Sequence, residues 1–353
     1  MQPIEALEEK IGQSELGREW TLHPLLDKDV WSVKELGYTA EEFKIQRTRN
    51  IYFEGFSLPW LKLLTKMTVL ASAREKSSLS TVIKRQNYLK QFDNFLVAEG
   101  YNQPELITDS LLQKFVATSS KGARTNRQST IAYITRLWAE EQWLKLPYTP
   151  RKYTEETPQI ETIPEEVLHQ IYENFDLFPP PLERLFRLQL VLGCRIGEML
   201  RMPCQCLKKE GEQWFLLRWV QKRKHWRFYQ IHSAVAELVI EQQKFLNQQF
   251  GSDSKFDKLF CVMSTASMHG ASKGKRFEVE PIYMPEILSA TTIRDWLKDF
   301  RKKADLKDKY GNRFNLQSHM FRRTKASIMA HCEAEDEYIA AVLGHGSLDM
   351  LPH

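Results

Sequence analysis

The sequence predicts a mainly α-helical chain with a small β hairpin or sheet, organised as two domains. Three observations carry this. Apolar residues recur at helical spacing over several stretches bounded by Gly, Pro, Ser or Thr. The proline- and threonine-rich stretch 146–164 has no periodicity and reads as an extended boundary. One pair of aromatic, β-branched runs flanks a basic tip, as a hairpin would. A chain of 353 residues, 42% of them hydrophobic, is long enough for two cores and a smaller extension. A mean hydropathy of −0.46 and no apolar run of bilayer length point to a soluble protein. The polar, acidic opening Met1–Trp20 does not read as a signal peptide. The five cysteines, an odd number without regular spacing, imply reduced thiols in the cytoplasm. Cys204 and Cys206 are too close, and lack the second pair, for a zinc site.

Residues 1–74 hold Trp20, Trp31, Phe53, Trp60 and Leu64, and read as an ordered extension, a small helical piece packed on the next domain. From Ser77–Ser80 a helix runs over Thr81–Glu99 with Val82, Tyr88, Leu89, Phe92, Phe95 and Leu96 on its apolar face, and Gly100 stops it. Thr108 and Asp109 open a second helix, and Gly122 and Thr125 precede a third that turns Ile131, Ile134, Leu137 and Trp138 inward. Lys121, Arg124, Arg127 and Arg136 lie along this third helix, a basic face that would be solvated or meet a polyanion. These helices, 75–150, make one domain; 151–163 is the linker, and the second domain fills 164–353.

In the second domain helices are expected over Pro164–Asn174, Pro181–Leu192 and Ile196–Met202, the last two broken by Gly193-Cys194-Arg195. Strands Trp214–Val220 and Arg227–His232 follow, joined by 221–226, the densest positive charge in the chain and the local patch that a net charge of +5 conceals. A helix Val235–Phe250 comes next, then an irregular stretch Lys258–Pro285 that reads as an inserted loop or hairpin, and an amphipathic helix Thr291–Lys303. Ser318 caps a helix that ends near Cys332, with His319 and Arg322 one turn apart and Ala326, Ile328 and Met329 apolar. Ala334–Leu343 forms another, opened by acidic residues and closed by Gly344, with Tyr338 read as a packing residue. His345 follows directly. Three groups able to bind phosphate are thus tied to helix ends.

His319-x-x-Arg322 followed by Leu343-Gly344-His345 resembles the carboxy-terminal signature of the tyrosine recombinases, or phage integrases, and LVLGCRIGEMLRM resembles the segment carrying their first catalytic arginine. The resemblance implies a helical core-binding domain that clamps DNA, with Lys121, Arg124 and Arg127 on its contact face, and a catalytic domain of the integrase type. It puts Arg195, His319, Arg322 and His345 in catalytic positions and Glu198 in a supporting one. It also implies a catalytic lysine on the hairpin, Lys222 by best match and Lys224 by second choice, with Arg223 and Lys224 on DNA. A nucleophilic tyrosine is implied nine residues after His345, at position 354, one beyond the last residue. Truncation, donation from another subunit and decay remain open; the cut in mid-helix favours truncation.

The chemistry such residues suit is attack on a DNA phosphodiester. Two guanidiniums, Arg195 and Arg322, hold the non-bridging oxygens through charge-assisted bonds, Lys222 protonates the leaving 5′ oxygen, His319 handles the nucleophile's proton and His345 bonds the phosphate. No carboxylate cluster or phosphate loop stands out, and the bond energy is kept in a 3′-phosphotyrosine, so neither metal nor ATP is expected. The implied partners are double-stranded DNA and further recombinase subunits, four on two DNA sites, in association with the nucleoid. Integrase, transposase and resolvase share these residues; the long amino-terminal extension leans towards a mobile element. A strand-relaxing topoisomerase and a non-enzymatic DNA-binding protein are the alternatives.

Overall fold

The computed structural model describes residues 3–21, 25–42, 48–151, 161–220, 225–265 and 276–343. The chain divides into two compact units, Met1–Thr157 and Pro158–His353. Most of the linker expected at 151–163 lies outside the described residues, as do Lys222, Arg223, Lys224 and His345.

In the first unit, helices α1 (Pro3–Gln13) and α2 (Glu15–Thr21) precede a two-stranded antiparallel ribbon, β1 (Val30–Ser32) with β2 (Asn50–Tyr52). Helices α3 (Pro59–Arg74), α4 (Leu79–Ala98), α5 (Asp109–Ala117) and α6 (Lys121–Glu140) follow. One core serves them all. Leu7, Ile11, Trp31, Phe53 and Leu64 are buried in the same cluster as Leu89, Phe92, Ile134 and Trp138. Residues 1–74 therefore share the core of the helical unit. Two tryptophans show why: the Trp138 indole donates to Thr68 Oγ1 of α3 (2.8 Å) and that of Trp143 donates to Ser14 Oγ between α1 and α2 (2.8 Å). A buried indole with a satisfied N–H couples area burial to a fixed geometry.

Helix α3 begins after Leu58, a residue with no side chain to cap the orphan amides of a helix start. Asp93 of α4 supplies that cap from a distance. Fully buried, its carboxylate accepts from the backbone amides of Ser57 and Leu58 (2.9 Å each) and faces the Lys90 ammonium at 3.5 Å. Helix α4 has its local cap at Ser78, and α5 at Thr108. Helix α6 starts at Lys121, earlier than expected, so Gly122 and Thr125 lie inside its first turns.

The second unit opens with α7 (Glu165–Glu173), α8 (Pro180–Leu192) and α9 (Ile196–Arg201). An antiparallel sheet in the order β3 (Leu207–Glu210), β4 (Gln213–Val220), β5 (His225–Ile231) comes next, adding a strand to the expected hairpin. Helix α10 (Ser233–Phe250) leads to the antiparallel pair β6 (Cys261–Ser264) and β7 (Ile282–Ile287), strands that fall within and at the end of the stretch Lys258–Pro285. Helices α11 (Ala290–Lys303), α12 (Ser318–His331) and α13 (Asp336–Leu343) complete it. Helices α8 and α12 pack through stacked Phe186 and Phe321 rings, centroids 5.5 Å apart. Helices α12 and α13 close on a small cluster of Ala326, Met329, Ile339, Ala340 and Leu343.

Three expectations need correction here. Ser318 is the first residue of α12 rather than its cap; Gln317 stands at the cap without a side-chain bond. The start is held instead by the buried Gln189 amide of α8, which donates to the Ser318 carbonyl (3.0 Å). Ile328 is 43% exposed, because the buried face of α12 follows Ala326 and Met329. Tyr338 is 60% exposed and does not pack: the buried stripe of α13 is Ile339, Ala340 and Leu343, and a residue one position earlier sits about 100° round the helix.

The remote cap gives a direct test. Asp93→Ala leaves the buried Leu58 amide and the partly buried Ser57 amide without an acceptor and should destabilise the first unit by about 2 kcal/mol, read as a shift in its denaturant midpoint. An unchanged midpoint would mean that Ser57 and Leu58 are satisfied elsewhere.

Candidate phosphate-binding site

The site grows from the end of α8. The helix stops at Gly193, whose left-handed backbone (φ 61°) satisfies the usual requirement of a helix C-cap. A side chain is excluded there for a second reason: a Cβ on Gly193 would stand 2.6 Å from Leu343 Cδ2 of α13. The tight turn brings Arg195 to the start of α9, where Glu198 reaches back. Its carboxylate accepts from the Arg195 backbone amide (2.9 Å) and from Arg195 Nη1 (2.9 Å). Gln189 also donates to the Cys194 carbonyl (3.3 Å), so one buried amide ties this turn to the start of α12.

From α12, Arg322 enters the same place. Its Nη1 donates to the Gly193 carbonyl (2.7 Å) and its Nη2 to the Leu343 carbonyl (2.6 Å). Its Nη1 also lies 3.9 Å from Glu198, so Arg195 and Arg322 share one carboxylate. The Arg322 side chain is only 4% exposed. Burial first, and then the charge of Arg195, push its pKa down to about 10. It still carries its full charge at neutral pH. His319, one turn before Arg322, meets solvent at the rim. Partial desolvation and the charges of Arg323, Arg322 and Arg195 lower its pKa below the ordinary imidazole value.

A third guanidinium, absent from the sequence reading, comes from β4. Arg218 is buried (5% exposed), donates to the Val342 carbonyl (3.3 Å), and lies 4.5 Å from the Tyr229 ring on β5. The signal for it was present in the strand's alternation: Leu216 and Val220, two positions either side, are buried, so Arg218 points the same way.

The structure therefore brings together Arg195, Glu198, His319 and Arg322, from turn, helix and helix. In the first unit, both terminal nitrogens of Arg127 bond the protein: Nη1 donates to the Phe115 carbonyl (2.9 Å) and Thr118 Oγ1 (2.7 Å), and Nη2 to Gln91 (2.7 Å). The guanidinium lies 4.5 Å from the Phe115 ring, and burial lowers its pKa. Arg127 thus ties α6 to α5 and α4. Arg124 is half-buried on the same helix, which begins at Lys121. Among the described residues no group of three or more His, Cys, Asp or Glu could hold a metal ion, and no helix is long and apolar enough to cross a membrane.

A helical unit with a small antiparallel sheet thus carries two guanidiniums that meet one carboxylate, with an imidazole one turn away. The family model described as "Phage integrase family" matches residues 161–353, more than half of the chain, and the chain belongs to that family. Among curated proteins it is similar to Transposase B from transposon Tn554 of Staphylococcus aureus, 24% identical over 352 residues, covering 95% of this chain and 50% of the relative. Transposase B from transposon PsiTn554 of the same species is 23% identical over 350 residues, with the same coverage. The chain spans about half the length of the curated relatives it matches. Among solved structures, XerH recombinase bound to palindromic difH substrate shares the fold with a TM-score of 0.60 at 14% identity, over 98% of this chain and 88% of that one. A lambda integrase tetramer bound to a Holliday junction gives 0.57 at 16% identity, over 82% and 78%.

The lowered pKa of His319 has a measurable consequence. The imidazole is mostly neutral at neutral pH in the free protein, and an anion placed beside it favours the protonated form. Binding of a phosphate-bearing ligand should therefore take up protons and tighten as pH falls below the ordinary imidazole range. Calorimetry in buffers of different ionisation enthalpy reads this uptake, and His319→Gln should remove it; uptake that persists in the variant would assign the proton elsewhere.

Proposed function

We propose that this chain supplies the phosphate-binding machinery of a DNA recombinase that cuts and rejoins strands through a 3′-phosphotyrosyl intermediate. One observation carries the reading: Arg195 and Arg322 converge on Glu198, so two buried or half-buried cations share one carboxylate, and the charge of Arg218 also reaches Arg322. Buried charge needs a counter-charge. A DNA phosphodiester, whose transition state gathers further negative charge on its non-bridging oxygens, meets that need.

In this reading Arg195 and Arg322 hold the two non-bridging oxygens. Glu198 fixes the Arg195 guanidinium and turns its remaining donors outward. The tyrosine oxygen attacks phosphorus, the bond to the 5′ oxygen breaks, and that oxygen leaves as a hydroxyl with a proton from Lys222. His319, neutral in the resting protein, receives the tyrosine proton, and His345 bonds the phosphate. Rejoining reverses these steps, so the phosphate ester supplies its own energy. The first unit would grip the far side of the duplex through the face of α6 bearing Lys121 and Arg124. Likeness to transposon-encoded relatives supports a role in mobile-element movement, and tetrameric assembly on two DNA segments is part of the same proposal.

The test uses the chain continued past His353 so that a tyrosine occupies position 354, mixed with a pool of nicked duplexes of randomised flanking sequence. A covalent protein–DNA adduct should form, and either Arg195→Ala or Arg322→Ala should slow it by about a hundredfold or more. Tight DNA binding with no adduct from any duplex would favour a non-enzymatic DNA-binding protein. Adduct formation indifferent to both arginines would refute the assignment.

A further inference from the structure

The carbonyl end of α13 is held by two arginines from different parts of the fold. Arg322 of α12 bonds the Leu343 carbonyl (2.6 Å), and Arg218 of β4 bonds the Val342 carbonyl next to it (3.3 Å). The last carbonyls of a helix have no partners within it and carry the negative end of its dipole, so cations suit them. What is unusual is the burial: Arg218 and Arg322 are 5% and 3% exposed. A surface lysine would satisfy the same carbonyls at far lower desolvation cost.

The surroundings of Arg218 explain how it is tolerated and where it acts. Its strand partner is Arg227, and the Tyr229 ring lies 4.5 Å from the Arg218 guanidinium and 5.4 Å from that of Arg227. Tyr229 thus gives the buried guanidinium an electron-rich face, while Arg227 stands at the exposed edge. Leu343, whose carbonyl Arg322 uses, is the residue that comes within 2.6 Å of a Cβ built on Gly193. Arg322 also bonds the Gly193 carbonyl (2.7 Å). Arg322 is therefore aimed by two backbone oxygens, and one of these belongs to the turn of helix that Arg218 holds.

We propose that Arg218 is a positioning residue for the phosphate site: by gripping the Val342 carbonyl it fixes the last turn of α13, and through the Leu343 carbonyl it fixes the aim of Arg322. The chain runs from Arg218 through Val342 and Leu343 to Arg322, and its first link is a strand whose end, Val220, leads directly into the tip that contains Lys222. Displacement of that strand would thereby reach Arg322, giving the site a mechanical connection to the hairpin. The inference rests on the phosphate-site reading for its catalytic consequence, but not for its structural one.

Two variants and two readouts test it. In Arg218→Gln, amide hydrogen exchange over 339–343 should accelerate by about tenfold or more, since the last turn loses its charged partner. This readout needs no activity, so it separates the positioning claim from the proposed function. In the chain extended with tyrosine at 354, the same variant should slow covalent adduct formation by roughly ten- to a hundredfold, as expected for a misaimed donor. Its affinity for DNA should stay within about twofold, because many phosphate contacts elsewhere set that affinity. Arg218→Lys keeps the charge and should recover most of both effects. Tyr229→Leu, which leaves the charge in place but removes its ring, should move exchange in the same direction by less. Unchanged exchange over 339–343 in Arg218→Gln would overturn the proposal. So would equal losses of rate and affinity without recovery in Arg218→Lys, which would mark a general structural role.

Discussion

The second unit depends on one carboxylate shared by two guanidiniums. Glu198 is 4% exposed at its side chain, as is Arg322, and the pairing lets two like charges lie in one low-dielectric place. It does so incompletely. Arg195 binds it closely at 2.9 Å and Arg322 remotely at 3.9 Å, so two guanidiniums meet a single carboxylate. Buried ion pairs contribute little to stability on balance, and the proposed phosphate ligand would supply the counter-charge that such a cluster needs.

The fold serves this cluster through backbone oxygens more than through side-chain pairs. Gly193, Leu343 and Val342 each present a carbonyl to an arginine, and Gln189 fastens the turn after α8 to the start of α12. The carboxy-terminal ends of helices leave such oxygens unpaired by construction, so bringing the ends of α8 and α13 together creates acceptors without adding carboxylates that would neutralise the site. The lack of space for a Cβ at Gly193 is part of the same arrangement, since it lets α13 approach the turn closely enough to share Arg322. In the first unit Asp93 follows a related rule, closing the start of α3 from another helix.

Much of this was legible beforehand, for reasons that can be named. Arg195, Glu198, His319 and Arg322 were recognisable because their spacing within short helices is local, and local spacing survives in a sequence. The helices α4, α8 and α11 were legible from periodicity, with ends off by a residue or two where caps are shared. Arg218 was not noticed because a basic residue in a strand next to a basic tip looks solvated, and only the burial of Leu216 and Val220 beside it says otherwise. The packing of Arg127 was hidden for the converse reason: its partners, Gln91, Phe115 and Thr118, lie outside α6, so no reading of that helix alone could show them. The cap at Ser318 and the packing of Tyr338 failed similarly, because Gln189 and the α12–α13 contact decide them from outside the segment.

The central claim is that Arg195 and Arg322 converge on one tetrahedral or trigonal-bipyramidal oxyanion. A crystal structure of the protein with vanadate, which takes up the five-coordinate geometry of phosphoryl transfer, tests this most directly. The account predicts a vanadium centre with oxygens within hydrogen-bond distance of both guanidiniums. Vanadate bound elsewhere while these two side chains keep only their protein partners would contradict it.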